Sequence, residues 1–393
     1  MTQAVAGYLD LGAGPPDAAL VHRMLDAIAP AGLPSARAAL VRGPVAMGAL
    51  SLASNDGLTP KPPRVLEAGD MLVAADMRLY GDGAAQPETA LMDALTRHGP
   101  KAAAELHGDF GLACWNAAAD ALWLMRDHVG VRPVFYTVRP GHHAAFASHP
   151  SALLQTGLAS RALDETGIAQ SVVMARPVAP RTRYRDVKTV RPGQTVTVSR
   201  SGAVEERRVW RLPLGQLIPL SENKAAVAEE LRRLLIQAVH RRLDEAGPAF
   251  GHLSGGLDST PIAVIAARHA AERGEDFHAY SIVEPEDLID QDAGDERRFA
   301  ADTVAMEPNM VPHWINPALP TDLAGTVDLD TGQIVHPDSV ADQMGRDAAH
   351  RGIRVMLTGW AGDEVVSMRT HNWGSAELFW SGRIADAMER LRA

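Results

Sequence analysis

Between a strand-like apolar run and a helix-like apolar run stands the string Ser254-Gly255-Gly256-Leu257-Asp258-Ser259. The two glycines let the backbone turn tightly and approach a ligand closely. Ser254, Ser259 and the N–H groups of a first helical turn converge there, at the positive end of the helix dipole. A loop of that kind holds anions, phosphate above all. Pro261 falls in the first turn, where its missing N–H costs nothing. No Gly-Lys-Ser/Thr follows, so this is not a Walker loop. A glycine turn capped by Asp258 is the plainer alternative, but a six-residue string is far more specific than a pair of glycines.

Two kinds of element must position this loop. From Ser221 to Ala246 the pattern is a long helix, with Ser221 as its cap. Strand and helix then alternate: "AFGHL" (249–253), "TPIAVIAARHAAERG" (260–274), "FHAYSIV" (277–283), a helix from about Asp295, another over 339–352 and a strand over 353–359. Such alternation predicts a parallel sheet covered by helices. Before residue 215 the chain is strand-rich instead, with apolar runs at 4–11, 45–52, 71–80, 110–116, 121–127 and 133–138. Helical spacing appears at 17–29 and 87–99, and 190–213 reads as a closing hairpin. These grouped strands and helices predict stacked sheets flanked by helices. Two domains follow, 1–214 and 215–393, as the 393-residue length also suggests.

The bulk numbers exclude several classes. A formal charge of −10 argues against nucleic acid as a partner. No apolar stretch reaches membrane-spanning length and no signal peptide opens the chain, which predicts a cytoplasmic protein without membrane contact. The single cysteine, Cys114, lies in an apolar run; it excludes an internal disulfide and reads as a buried structural thiol. The histidines, among them His142, His143, His269, His350 and His371, show no metal-ligand spacing.

The string SGGLDS resembles the pyrophosphate loop of ATP pyrophosphatases, and the second half is similar to the synthetase domain of the asparagine synthetase superfamily. The resemblance implies a doubly wound parallel α/β sheet, with ATP and Mg²⁺ as cofactors. It implies nucleotide contacts from Leu253, Ser254, Gly255, Gly256, Asp258 and Ser259, and from Ser281 and Ile282 at the end of the next strand. "VMLTGWAGDEV" (355–365) matches the family's second signature. Thr358 and Gly359 would then contact the nucleotide, Asp258 and Asp363 would hold Mg²⁺, and Asp258, Asp363 and Glu364 would form the catalytic acids. Helix-start capping is the alternative for these acids. Asp295 and Glu296 match a further acidic pair, and His336-Pro337-Asp338 a segment near the substrate pocket.

The first half resembles the family's glutaminase domain, through "GDFGLACWNAAADALWLMRDHVGVRPVFY" (108–136), "FASHPSALL" (146–154) and "VRPGQTVTV" (190–198). This implies an αββα sandwich of the N-terminal-nucleophile hydrolase type. Yet position 2, where that family carries a nucleophilic cysteine, is Thr2. "AMGALSL" replaces its Arg-Leu-Ala-Ile-x-Asp, and "AADMRLYG" its Asn-Gly-Glu. A chain without glutaminase chemistry must use another amine. "ADMRL", "GWAGDE" and "HNWGSAELFWSGRIADAMERL" (371–391) are similar to lasso peptide cyclases. These adenylate a precursor peptide's Asp or Glu side chain and close a macrolactam with its N-terminal amine. The implied partners are the precursor peptide and its leader peptidase. An ammonia-using asparagine synthetase, a β-lactam synthetase and an inactive peptide-binding scaffold remain open. The family domain continues well past its acidic signature, whereas this chain ends about 30 residues after Asp363, so a shortened synthetase domain is expected.

Overall fold

The computed structural model describes residues 3–12, 14–29, 34–52, 60, 62–174, 178–212, 223–243, 248–283, 297–315, 326–327, 334–335, 340–353, 355–360 and 362. The chain divides into two units, Met1–Ile218 with Thr326–Val335, and Pro219–Gly325 with His336–Ala393. The sequence boundary near residue 215 lies outside the described residues.

The first unit contains β1 (Gln3–Asp10), β2 (Ser35–Arg42), β3 (Val45–Leu52), β4 (Val65–Ala68), β5 (Met71–Leu79), β6 (Gly108–Asn116), β7 (Ala121–Arg126), β8 (Phe135–Arg139), β9 (His143–Ala147), β10 (Lys188–Thr189), β11 (Gln194–Ser199) and β12 (Val204–Arg208). They form two six-stranded sheets, ordered β10-β8-β9-β1-β3-β2 and β12-β11-β7-β6-β5-β4. Every pairing in them is antiparallel. Strand alternation sends one set of side chains inward: Val5, Met47, Leu72, Trp115, Tyr136 and Phe146 pack between the sheets. The other set faces helices. Helix α1 (Ala18–Asp26) seats Val21, Met24 and Leu25 on the first sheet, and α2 (Pro87–His98) seats Leu91 and Leu95 on the second. Asp17 caps α1 by accepting the Ala19 N–H at 2.7 Å, and Pro87 opens α2. The result is the expected helix–sheet–sheet–helix sandwich. Helices α3 (Pro150–Gln155) and α4 (Glu165–Met174) complete the unit, together with a separate two-stranded pair clustering with it.

The second unit opens with α5 (Lys224–Leu243). Ser221 lies outside the described residues; Asn223 takes the capping role, accepting the Ala225 N–H at 3.0 Å. Then come β13 (Ala249–His252), α6 (Ser259–Ala271), β14 (Phe277–Ile282), α7 (Arg297–Met306) and β15 (Met310–Ile315). The two-stranded pair β16 (Thr326–Val327) and β17 (Ile334–Val335) interrupts the chain before α8 (Val340–His350) and β18 (Val355–Leu357). The sheet order is β15-β14-β13-β18, parallel throughout. Leu253, Phe277, Ala279 and Leu357 pack with α5, α6 and α7 on one face, while Phe250 and Tyr280 pack with Met344 and Ala348 of α8 on the other. Helices on both faces make this a doubly wound sheet, as the alternation predicts.

Candidate nucleotide site

From β13 the chain steps to β14 and then β15 on one side, and returns as β18 on the other. The loops after β13 and β18 therefore leave adjacent parallel strands at the switch point of the sheet, where open α/β folds bind ligands. Both signatures sit there, on residues 253–259 and 358–362.

Leu253 anchors the first loop. Its side chain is buried, its N–H donates to the Tyr280 carbonyl at 2.8 Å, and its own carbonyl accepts from the Ser281 hydroxyl. Gly255 turns the chain at φ +85°, a conformation that a side chain would strain. The Ser254 N–H donates to Ser259 Oγ at 3.1 Å, the two serine hydroxyls lie 2.9 Å apart, and the Gly256 N–H donates to Ser254 Oγ at 3.1 Å. The Ser254 and Gly256 N–H groups are thus satisfied within the loop, and a phosphate would exchange with Ser254 Oγ for the Gly256 N–H. Asp258 occupies the N-cap position of α6, but its side chain makes no capping hydrogen bond. The plain capping reading of Asp258 fails here.

The second signature is pressed against the first. A Cβ on Gly359 would lie 2.5 Å from the Ser259 nitrogen and 2.7 Å from the Asp258 carbonyl carbon. One on Gly362 would lie 2.5 Å from the Asp258 carboxyl carbon. Glycine at both positions is what allows the loops to touch, and Gly362 leaves the Asp258 carboxylate its space. Two hydrogen bonds shape the 358–362 turn, Gly362 N–H to Gly359 carbonyl at 3.0 Å and Trp360 N–H to Thr358 Oγ1 at 3.4 Å. Leu253, Ser254, Gly255, Gly256, Asp258, Ser259, Thr358 and Gly359 therefore form one cluster, with Ser281 beneath it and Ile282 exposed at the end of β14. Asp363, Glu364, Asp295, Glu296, His336 and Asp338 lie outside the described residues. Among the described residues no three His, Cys, Asp or Glu side chains gather to hold a metal. Mg²⁺ needs only one or two protein carboxylates besides phosphate oxygens and water. The Asp258 carboxylate, cradled by Gly362, fits that demand.

Sequence reasoning missed the role of the Ser281 hydroxyl and a polar row on the α8 face of the sheet. His278 Nδ1 and His313 Nε2 are 2.8 Å apart, and the His313 ring stacks on Tyr280 with centroids at 4.5 Å. The Tyr280 hydroxyl donates to Asp347, which Arg351 also binds at 3.0 Å. Burial holds both imidazoles below their ordinary pKa, and Arg351 adds to this. The hydrogen bonds from Arg351 and Tyr280 hold the Asp347 carboxyl low. The alternation of His278 and Tyr280 in "FHAYSIV" was the available signal.

In the first unit the described residues of the two segments that stand in for the glutamine-holding ones are apolar or enclosed. Met47 and Ala49 are interior strand residues. Asp76, on the same face of β5 as Leu72 and Ala74, is 1% exposed and neither of its oxygens has a hydrogen-bond partner. Arg132 Nε stands 3.6 Å from it. The loop carrying Arg132 is fixed by Asp127, which accepts the N–H groups of Val129, Gly130, Val131 and Arg132. Burial raises the Asp76 carboxyl to about 6 against the opposing pull of Arg132. Cys114 is fully buried and burial pushes its thiol up to about 12, so it stays protonated. Thr2 lies outside the described residues.

The comparisons with known proteins agree with both halves. The glutamine amidotransferase domain family matches residues 84–210, and the asparagine synthase family matches residues 230–381. The glutamine-hydrolysing asparagine synthetase 3 of Bacillus subtilis is 31% identical over 179 residues, 45% of this chain and 28% of that protein. The amidase chyE of Penicillium rubens is 25% identical over 302 residues, 70% of this chain and 43% of that one. The chain thus spans less than half the length of these relatives. Glutamine phosphoribosylpyrophosphate amidotransferase from B. subtilis overlays with a TM-score of 0.35 at 12% identity, over 90% of each chain; so weak a likeness adds nothing to the argument. Among the described residues no helix is long and apolar enough to cross a membrane. With a glutamine amidotransferase match followed by an asparagine synthase match, and both nucleotide signatures in contact, the chain belongs to the asparagine synthetase superfamily.

Proposed function

We propose that this protein forms amide bonds by ATP-dependent adenylation of a carboxylate, and that its substrate is a lasso precursor peptide closed into a macrolactam. The observation that carries the reading is the packing of Gly359 and Gly362 against Asp258 and Ser259, which brings the 254–259 loop and the 358–362 turn together at the ends of adjacent strands. A substrate carboxylate oxygen bonds to the α-phosphorus, the bond to the β-phosphate breaks, and pyrophosphate leaves. The peptide's amine then attacks the acyl carbon, AMP departs with the bonding electrons, and the ammonium proton passes to solvent. The N–H groups and hydroxyls of residues 254–259 hold the departing pyrophosphate where its charge grows. Asp258, with Asp363, would hold Mg²⁺, which supplies charge neutralisation at the phosphates. Joining nucleophile and acyl group in one bound peptide replaces a second binding step by proximity.

The replacement of the glutamine-holding segments by Met47, Ala49 and the enclosed Asp76 supports an amine source other than glutamine. The precursor peptide and its leader peptidase are the partners this reading requires, and its use of ATP puts the reaction in the cytoplasm. The asparagine synthetase relatives favour a second reading, amidation of free aspartate with ammonia. Carboxylate-dependent exchange of labelled pyrophosphate into ATP separates them. Exchange stimulated by Asp- or Glu-containing peptides supports the first reading, and exchange stimulated by aspartate alone the second. Loss of exchange in Asp258→Asn is expected in either case. Absence of exchange with every carboxylate would sink both.

A further inference from the structure

The peptide unit that opens the phosphate loop, between Leu253 and Ser254, is held at both ends by side-chain hydroxyls. Its carbonyl accepts from Ser281 Oγ, near the end of β14. Its N–H donates to Ser259 Oγ, on the first residue of α6, at 3.1 Å. The two bonds differ in setting. The one to Ser259 is half-buried and belongs to the loop's own network, which Ser254 Oγ shares at 2.9 Å. The one from Ser281 is buried, and Ser281 itself is 4% exposed. A carbonyl enclosed in this way is costly to leave without a donor.

Ser281 stands on a firm base. Strand β14 is an inner strand, paired with β13 on one side and β15 on the other. Its neighbour Tyr280 grips the same residue of the loop, through a carbonyl that accepts the Leu253 N–H at 2.8 Å. The Tyr280 ring is in turn fixed by its stack on His313 and its hydroxyl's bond to Asp347. With the Leu253 side chain in the core, that residue is pinned by side chain, N–H and carbonyl together. Past it the chain leaves the sheet for the turn at Gly255. A Leu253 carbonyl deprived of Ser281 would turn toward another donor, and the peptide would carry Ser254 with it. Resting on the nucleotide reading above, we propose that Ser281 is a positioning residue. Its hydroxyl fixes the Leu253–Ser254 peptide so that Ser254 and the Gly256 N–H meet the pyrophosphate, and its side chain serves the loop without touching the ligand.

Threonine and valine have nearly the same shape, suit a strand and differ in the hydroxyl. Ser281→Thr and Ser281→Val are therefore compared, on the whole chain, in two measurements. The first is calorimetric binding of magnesium pyrophosphate and magnesium ATP, with AMP as the control that lacks the β- and γ-phosphates. Ser281→Thr should bind as wild type does. Ser281→Val should weaken both pyrophosphate-bearing ligands about tenfold and leave AMP unchanged. The second is hydrogen exchange of the Ser254 amide without ligand. It should be about tenfold faster in Ser281→Val than in Ser281→Thr, with the β14 amides unchanged. If Ser281→Val does not fold, Ser281→Cys takes its place, since its thiol is close to serine in size and a weak donor. Equal behaviour of the variants with and without the hydroxyl, or an equal weakening of AMP, would overturn the proposal. A wild type that binds neither pyrophosphate nor ATP counts against the nucleotide reading, and the Ser254 amide then still decides whether Ser281 fixes the loop.

Discussion

The two units treat buried polar groups in opposite ways. In the second unit the polar groups of the site are placed at strand ends and satisfied by one another: Ser254 with Ser259, Leu253 with Ser281 and Tyr280. They are ready to exchange partners with a ligand. In the first unit Asp76 is shut between two sheets with no hydrogen bond, and the Arg132 guanidinium stands 3.6 Å away. Polar groups at the open strand ends can trade partners with a ligand, whereas the carboxyl closed inside the first unit is only partly compensated. A buried ion pair of that kind is weak evidence for stability.

The sharpest way to break this comparison is at Gly359. In Gly359→Val the new side chain meets backbone atoms of Asp258 and Ser259 that cannot move aside. Pyrophosphate exchange should fall by at least about 100-fold, since a misplacement of about 1 Å costs that much. Hydrogen exchange of β5 and β6 amides in the first unit should be unchanged. Unchanged pyrophosphate exchange would show that the contact between the loops does not matter.

Next in size is the pH response of the first unit. The Asp76 carboxyl is raised from 3.8 to about 6, so the folded chain binds this proton more tightly than the unfolded chain. Stability is therefore greatest below about pH 4 for this group and falls as pH rises through 6. The shift corresponds to about 3 kcal/mol at neutral pH. Protection of the β5 and β6 amides should rise between pH 7 and pH 5, and Asp76→Asn should flatten that rise. An unaltered slope in the variant would mean that Asp76 is not the group responsible.

The second unit should respond with the opposite sign and a smaller amplitude. His278 and His313 have depressed pKa values and are only half-buried. The groups acting on them are the Tyr280 ring, which stacks on His313, Asp347 on α8, Arg351 just after that helix and Asp276 just before β14. Neutral imidazoles are favoured in the fold, so stability is complete above about pH 6.5 and falls as pH drops below it. Protection of the β13 and β14 amides should decline on acidification, and His313→Asn should reduce the decline. Parallel slopes in the two units would erase the contrast.

How much of this was legible follows from where information sits in a sequence. The phosphate loop and the second signature could be read because glycine, proline and short polar residues are demanded locally by the backbone. Their mutual contact could not, since Gly359 and Ser259 are a hundred residues apart and meet only through the register of β13 with β18. Strand β2 escaped notice because "SARAALVR" is an edge strand of weak β-formers. Strand β15 escaped because Pro312 argues against a central strand, and it too lies at an edge. The caps show the same limit: Ser221 fits the local pattern, yet Asn223 does the capping.

The smallest effect concerns Cys114, the one thiol in the chain. It lies on β6, fully buried in the layer between the second sheet and α2, among Val73, Leu91 and Trp123. With its pKa pushed up to about 12 it has almost no thiolate at neutral pH, and no path for a reagent. Iodoacetamide should therefore leave the native chain unmodified and its pyrophosphate exchange unchanged, while the unfolded chain takes up one label. Cys114→Ala removes only a sulfur from a packed interior and should cost about 1 kcal/mol of stability, again without loss of exchange. If alkylation of the native chain abolished activity, the first unit would hold a reactive centre after all. The contrast between a unit that keeps its chemistry at open strand ends and one that has buried it would then fail at the cysteine.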